Sequence, residues 1–248
     1  MEYFWTQYSD LPAGIGYGRF STEHWMELLV IGILIIVLLR IVLRCSERTQ
    51  QFILRAVPVL MVFLECFKDL FLLQAGHFSV GYLPLHLCSL GVFVFLLFAF
   101  SSRRREMWAE IAFCLILPGS VVALLLPDWA HLYPVWNFMN LYGLTWHGLL
   151  VFYPLLLYLR GDVHPEIRHM RWSILFLCCV TPPIYLFDRI FHTNYLFVNW
   201  PAPGTPLEWL ADRMGNPGYL LGYAVCILLV LTGYYGLLFV LNKIHARP

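Results

Sequence analysis

The sequence predicts an all-α fold, a polytopic membrane bundle of seven transmembrane helices with the N-terminus outside and the C-terminus in the cytosol. Three observations predict it. Of 248 residues, 60% are hydrophobic and only 12% charged, about half the charge that a soluble domain carries. So few ionic groups cannot cover that much apolar side chain in water, and a bilayer is the natural solvent. Seven runs reach roughly the 20 apolar residues needed to cross hydrocarbon. Finally, twelve of the sixteen Lys and Arg fall on alternate turn-arounds, and that asymmetry fixes orientation.

The runs are Trp25–Leu43, Phe52–Ala75, Leu83–Phe100, Trp108–Leu126, Leu141–Leu159, Trp172–Phe191 and Gly218–Leu241. The second carries several charges in its middle, and Pro182-Pro183 is expected to break the sixth. Arg40, Arg44, Arg48 and Arg55 lie around the first turn-around, and Arg103, Arg104 and Arg105 form the third. Arg160, Arg168 and Arg171 form the fifth, while Lys243 and Arg247 sit in the tail. The other side holds Arg19, Arg189 and Arg213, with Lys68 inside a span. No cleavable signal peptide is visible in the polar, aromatic stretch from Met1 to Phe20, so the first helix serves as its own insertion signal. No internal repeat marks a two-halves transporter. The expectation is a single transmembrane domain over residues 1–248.

The outer loop from His192 to Pro217 is rich in proline and aromatics. Within it, Thr205-Pro206-Leu207-Glu208 reads as a capping box with proline at the first helical position, and Gly215 can end the helix. The expected element is a short interfacial helix on the outer leaflet, against the alternative of an irregular loop. The seven cysteines show no CxxC spacing, which excludes a disulfide framework or a zinc ribbon. Most are small fillers of helix packing.

Ionisable groups inside spans are costly and face a cavity or a partner. Glu65, Lys68 and Asp69 lie in the second span, His86 and Cys88 open the third, and His147 lies in the fifth. Asp188 and Arg189 close the sixth, with His192, Asn194 and Tyr195 just beyond and His24 at the mouth of the first. Asp69, Cys88 and His147 share a depth on the order of 10 Å inside the outer boundary, and a common cavity is the simplest cause. Each group also has a structural reading. Glu65, Lys68 and Asp69, at i, i+3 and i+4, can neutralise one another. Asp188 beside Arg189 can anchor at the interface, and a lone His147 can hydrogen-bond across helices.

In Leu83-Pro84-Leu85-His86-Leu87-Cys88, Pro84 is expected in the first helical turn and the thiol in the next. A helix N-terminus and a nearby imidazolium both favour thiolate. His86 points elsewhere on a regular helix, so His147 is the more credible base. A Cys–His pair of this kind suits nucleophilic acyl transfer.

The segment Leu83-Pro84-Leu85-His86-Leu87-Cys88-Ser89-Leu90, the histidine of the fifth span, and Thr193-Asn194-Tyr195-Leu196-Phe197 followed by Pro201 resemble the YwaF family of bacterial integral membrane proteins. That family is related to a eukaryotic transmembrane acyltransferase group acting on ether phospholipids. The likeness covers most of the chain, including the early His24. It implies thiol-dependent acyl transfer, with Cys88 as the acyl-carrying nucleophile and His147 as its base. Oxyanion stabilisation would come from amides at the third helix start or from Asn194.

Two other functions fit the residues. A proton-coupled carrier would be built on Glu65, Lys68 and Asp69, with Pro58, Pro154 and Pro182-Pro183 as bends. A metal enzyme would use His24, His86 and His147, although no signature such as HExxH is present. The lack of a mid-helix lysine in the seventh span, where Lys243 lies at the end, argues against a retinal protein. The expectation is a site without metal or cofactor, in a bacterial cell-membrane protein whose partners are membrane lipids. The net charge of +1 carries no nucleic-acid signal.

Overall fold

The computed structural model describes residues 2–245, and among them all extended regular structure is helical. The end of the tail, with Arg247 of the expected cytosolic cluster, lies outside the described residues. We number the helices α1 (Thr22–Arg44), α2 (Glu47–Gln74), α3 (Leu87–Phe100), α4 (Arg105–Leu125), α5 (Phe138–Arg160), α6 (Met170–Phe191), α7 (Pro206–Met214) and α8 (Tyr219–His245).

Five of these, α1, α4, α5, α6 and α8, are long and apolar enough to cross a bilayer. The other two expected spans differ from them for separate reasons. Helix α2 is long enough at 28 residues, but Glu47, Arg48, Arg55, Glu65, Lys68 and Asp69 dilute its apolar character. Helix α3 has 14 residues, about 21 Å of rise against roughly 30 Å of hydrocarbon. Its start is four residues later than the sequence suggests. The Leu85 amide donates to the Leu83 carbonyl at 2.8 Å, closing a tight turn around Pro84 that uses up a donor before any helix begins. Pro84 is therefore outside α3, and Cys88 occupies the first helical turn instead of the second.

The expected break at Pro182-Pro183 is also absent: α6 runs continuously through both. Two prolines deprive the Cys178 and Cys179 carbonyls of their helical donors, a defect that membrane helices tolerate. Proline acts instead in α4, where residues Ala112–Ile116 widen into a π-helical turn just before Pro118. The short helix expected after Thr205 is present as α7. Thr205 Oγ1 accepts from the Leu207 amide at 3.3 Å, and Glu208 Oε2 accepts from the Gly204 amide at 2.9 Å.

The chain forms two compact units, Met1–Phe78 with Cys88–Val163, and Ser79–Leu87 with His164–Pro248. In the first, α5 is the core helix and packs on α1, α2 and α4. Leu150, Tyr153, Leu156 and Leu157 are fully buried. Tyr153 stacks on Phe95 with centroids 4.2 Å apart and donates to the Leu54 carbonyl at 2.9 Å. Helix α1 behaves oppositely, turning Trp25, Met26, Leu29, Val30 and Ile33 outward, as a helix facing lipid does. In the second unit α8 packs on α6 and α7, and α6 buries little beyond Ser173, Ile184 and Asp188.

Candidate functional site

The sequence-derived site residues divide between the two units. In the first, the three charges of α2 form one cluster. Lys68 Nζ lies 2.8 Å from Glu65 Oε1 and 3.0 Å from Asp69 Oδ1. The second contact has ion-pair distance without hydrogen-bond angles, so Asp69 Oδ1 receives no hydrogen bond. The Lys68 side chain is 7% exposed and that of Glu65 12%. From α5, the Tyr142 hydroxyl donates to Glu65 Oε2, and its ring lies 5.8 Å from Lys68 Nζ.

Cys88, half-buried in the first turn of α3, completes this group. Its thiol lies within electrostatic reach of Glu65 and of the Tyr142 hydroxyl. Glu65 and Tyr142 tie α2 to α5, with Cys88 of α3 within electrostatic reach of both. Sequence reasoning missed Tyr142, whose only available signal was a hydroxyl near the start of the fifth apolar run.

His147 is 8% exposed on the same helix. Its Nδ1 lies 2.8 Å from the Gly143 carbonyl. A carbonyl only accepts, so Nδ1 carries a proton and donates to it. The ring stacks on Trp129, with centroids 5.0 Å apart and planes at 12°. Gly143 makes room for that indole, because a Cβ there would stand 2.8 Å from Trp129. Trp129 in turn donates from Nε1 to Asn140 Oδ1 at 3.0 Å.

Asn140 and Glu27 continue this chain of contacts toward the start of α1. Asn140 Nδ2 donates to Glu27 Oε1 at 2.8 Å; the Tyr17 hydroxyl donates to Glu27 and lies 2.9 Å from Asn140 Oδ1. Burial and the bond to Glu27 raise the Tyr17 phenol well above its ordinary pKa, so it remains a donor at any working pH. A carboxylate inside the first span was the signal for this network, and sequence reasoning passed over it. His24 is fully buried. Its Nδ1 accepts from the Phe20 amide and its Nε2 donates to the Leu124 carbonyl, each at 2.9 Å. Both ring nitrogens are therefore occupied by backbone.

In the second unit, Asp188 and Asn194 organise the loop after α6. Asp188 is fully buried. Its Oδ1 accepts from Thr193 Oγ1 at 2.6 Å and from the Tyr195 amide at 3.0 Å, while Oδ2 has no hydrogen-bond partner. Asn194 Oδ1 accepts from the amides of Asn199 and Trp200, both at 3.1 Å. Asn199, also missed in the sequence, donates to the Asp188 and Thr193 carbonyls at 3.1 and 2.9 Å. Arg189 reaches Asn199 Oδ1 at 3.5 Å. These bonds hold Leu196 and Phe197 at φ of 54° and 57°, a left-handed backbone that costs a residue with a Cβ about 1–2 kcal/mol. His86 meets the Tyr195 ring at 4.8 Å between centroids, and the Tyr195 hydroxyl donates to the Val80 carbonyl.

For the metal-enzyme alternative, no group of three His, Cys, Asp or Glu among the described residues could hold an ion. A comparison with curated proteins and with solved structures finds no match. A family match covers residues 19–235, which include every helix through most of α8 and all the groups above except the N-terminal Tyr17. The apolar helices and that match agree on a multi-pass membrane protein, and the chain belongs to the TMEM164 family of transmembrane proteins.

Proposed function

We propose that this chain is a thiol-dependent acyltransferase or lipid-remodelling enzyme of the bacterial cell membrane, with Cys88 as nucleophile and His147 as base. The observation that carries the reading is a half-buried cysteine in the first turn of α3, within electrostatic reach of the Glu65–Lys68–Tyr142 group. The first amides of a helix have no intrahelical acceptor, so they are available for an oxyanion. The topology that goes with it has seven spans in one membrane domain. Helix α2 crosses with Glu65, Lys68 and Asp69 paired to one another, α3 crosses as a short helix, the N-terminus is outside and the tail is cytosolic.

In this mechanism Cys88 Sγ gives its proton to His147 Nε2 and attacks the carbonyl carbon of a phospholipid acyl ester. The ester C–O bond breaks, and the departing lysolipid oxygen takes the proton from the imidazolium. A hydroxyl of a second lipid then attacks the Cys88 thioester; its proton passes through His147 to the leaving sulfur. With Nδ1 donating to the Gly143 carbonyl, Nε2 is the His147 nitrogen that would receive that first proton.

Lipid profiles of cells carrying wild type, Cys88→Ser or His147→Ala test this. The expected result is a change in acyl-chain distribution with wild type that both variants lose. Brief labelling of intact membranes with an acyl-mimicking electrophile should mark Cys88 ahead of the other six cysteines, more slowly in His147→Ala. Equal labelling of Cys45, or labelling indifferent to His147, makes Cys88 a packing residue. A carrier is the second reading, favoured by the buried ion cluster of α2. It predicts an unchanged lipid profile and altered solute uptake on Lys68→Met.

A further inference from the structure

The first unit holds a cavity of about 510 Å³ that the acyl-transfer reading does not use. It lies at the N-terminal ends of α1 and α5, between the segment before α1 and the turn before α5. Tyr3, Tyr17 and Trp136 supply aromatic walls, and Glu2 and Glu23 supply two carboxylates. Among the described residues no Lys or Arg lines it. Arg19 is committed elsewhere, to Asp128 at 2.6 Å.

The walls are held in place by the fold. Gly16 sits where a Cβ would stand 2.3 Å from the His131 backbone, so only glycine permits this approach, and the next amide, of Tyr17, donates to the Ala130 carbonyl at 3.0 Å. The Tyr17 hydroxyl is taken by Glu27 and Asn140, which leaves its ring as the contribution to the wall. The N-terminal strand of chain is pinned as well. Asn137 Nδ2 donates to the Tyr3 and Thr6 carbonyls at 2.7 and 2.9 Å, and the Phe138 amide donates to the Phe4 carbonyl at 2.8 Å. Trp5, Phe20, Trp25 and Trp136 are all exposed around this end, the aromatic belt expected at a membrane–water interface.

Aromatic faces carry negative quadrupole density, and carboxylates add full negative charge, so such a cavity favours an organic cation over an anion or a neutral polar group. We propose that this cavity binds an ammonium group, presented either by the headgroup of a zwitterionic lipid or by a free amine. It is independent of the thiol chemistry, because it uses none of Cys88, His147 or the α2 charges, and it is read by binding alone.

The test uses the full chain in detergent micelles and in nanodiscs of phosphatidylglycerol, which carries no ammonium. Saturation-transfer NMR with choline reads the free-amine arm; native mass spectrometry of retained phosphatidylcholine against phosphatidylglycerol reads the lipid arm. The expected result is saturable binding of at least one probe, weakened roughly fivefold or more in Glu23→Gln and in Trp136→Leu. Glu166→Gln, which removes an exposed carboxylate of the loop before α6 and outside the cavity, should leave binding unchanged. Both substituted side chains are exposed, and unaltered thermal unfolding confirms that the variants fold. Choline saturation that displaces the lipid assigns the site to free amines; retained phosphatidylcholine that choline does not displace assigns it to lipid headgroups. If neither probe saturates, or if binding survives both Glu23→Gln and Trp136→Leu, the cavity is not an ammonium site.

Discussion

Glu65 and Asp188 are both carboxylates drawn in from water, yet they are satisfied by different chemistry. Glu65 is met by charge, with Lys68 one helical turn away and a phenol from α5. Asp188 is met by dipoles, a hydroxyl and an amide from the loop that follows its own helix. The first arrangement ties two helices together and depends on a balance of ionic charge. The second ties a loop to a helix end and leaves one oxygen without a partner. A buried ion pair fails badly when one member is lost, whereas losing a hydrogen-bonded acceptor releases only the segment it held.

The largest expected effect follows directly. Lys68→Met leaves two acidic side chains uncompensated and should destabilise the protein by about 3–5 kcal/mol, measured by unfolding in mixed micelles. The triple variant Glu65→Gln, Lys68→Met, Asp69→Asn should recover most of that loss. If it recovers none, the cluster is held by something other than charge balance and the contrast with Asp188 collapses.

Asp188→Ala should cost about 1–3 kcal/mol and act locally. Limited proteolysis should open residues 192–200 while α6 keeps its protection. Cleavage spread through α6 would instead give Asp188 the global role assigned to Lys68. Gly143→Ala is expected to cost about 1–3 kcal/mol by overpacking against Trp129. It should also slow electrophile labelling of Cys88 by displacing the surface on which His147 stacks.

The smallest effect concerns a pair whose carboxylate is exposed. Arg160 holds Glu47 at 2.7 Å and keeps its carboxyl below the ordinary range, the hydrogen bond from the guanidinium being the main cause. A carboxyl depressed in the folded state contributes stability above its unfolded pKa and loses it as pH falls through the folded value. The stability difference between wild type and Glu47→Gln should therefore be present at neutral pH and vanish on acidification through the carboxylate range. A difference independent of pH would point to packing of the Arg160 stem instead.

Much of the fold was legible because it rests on local rules. Apolar length announces α1, α5 and α8, and the Thr205 cap announces α7. Where it misled, the deciding contacts were short-range but unmarked by residue type. The Leu85 amide turns back to Leu83 and delays α3, and Pro182-Pro183 sits in a helix whose surroundings tolerate the lost bonds. In the sequence the site was legible as ionisable groups inside apolar runs, which singled out Glu65, Lys68 and Asp69 before their pairing was seen. Partners that come from rotation about a helix axis, such as Tyr142 on Glu65 or Asn140 on Glu27, leave no mark in spacing. Glu27 was visible as a charge in an apolar run and was overlooked.

If α3 crosses the bilayer, as in the seven-span topology proposed above, its 14 residues make the lipid environment a mechanical variable for Cys88. A helix shorter than the hydrocarbon around it is accommodated by local thinning of the bilayer or by polar groups drawn toward its ends. The turn at Leu83–Leu85 and the thiol just after it sit at one such end, where backbone that is not helical must be sheltered by protein or wetted. Membranes with longer acyl chains would deepen the dimple around that end, and shorter chains would relax it. Access to the sulfur would then change with membrane composition without any change in the protein's own contacts.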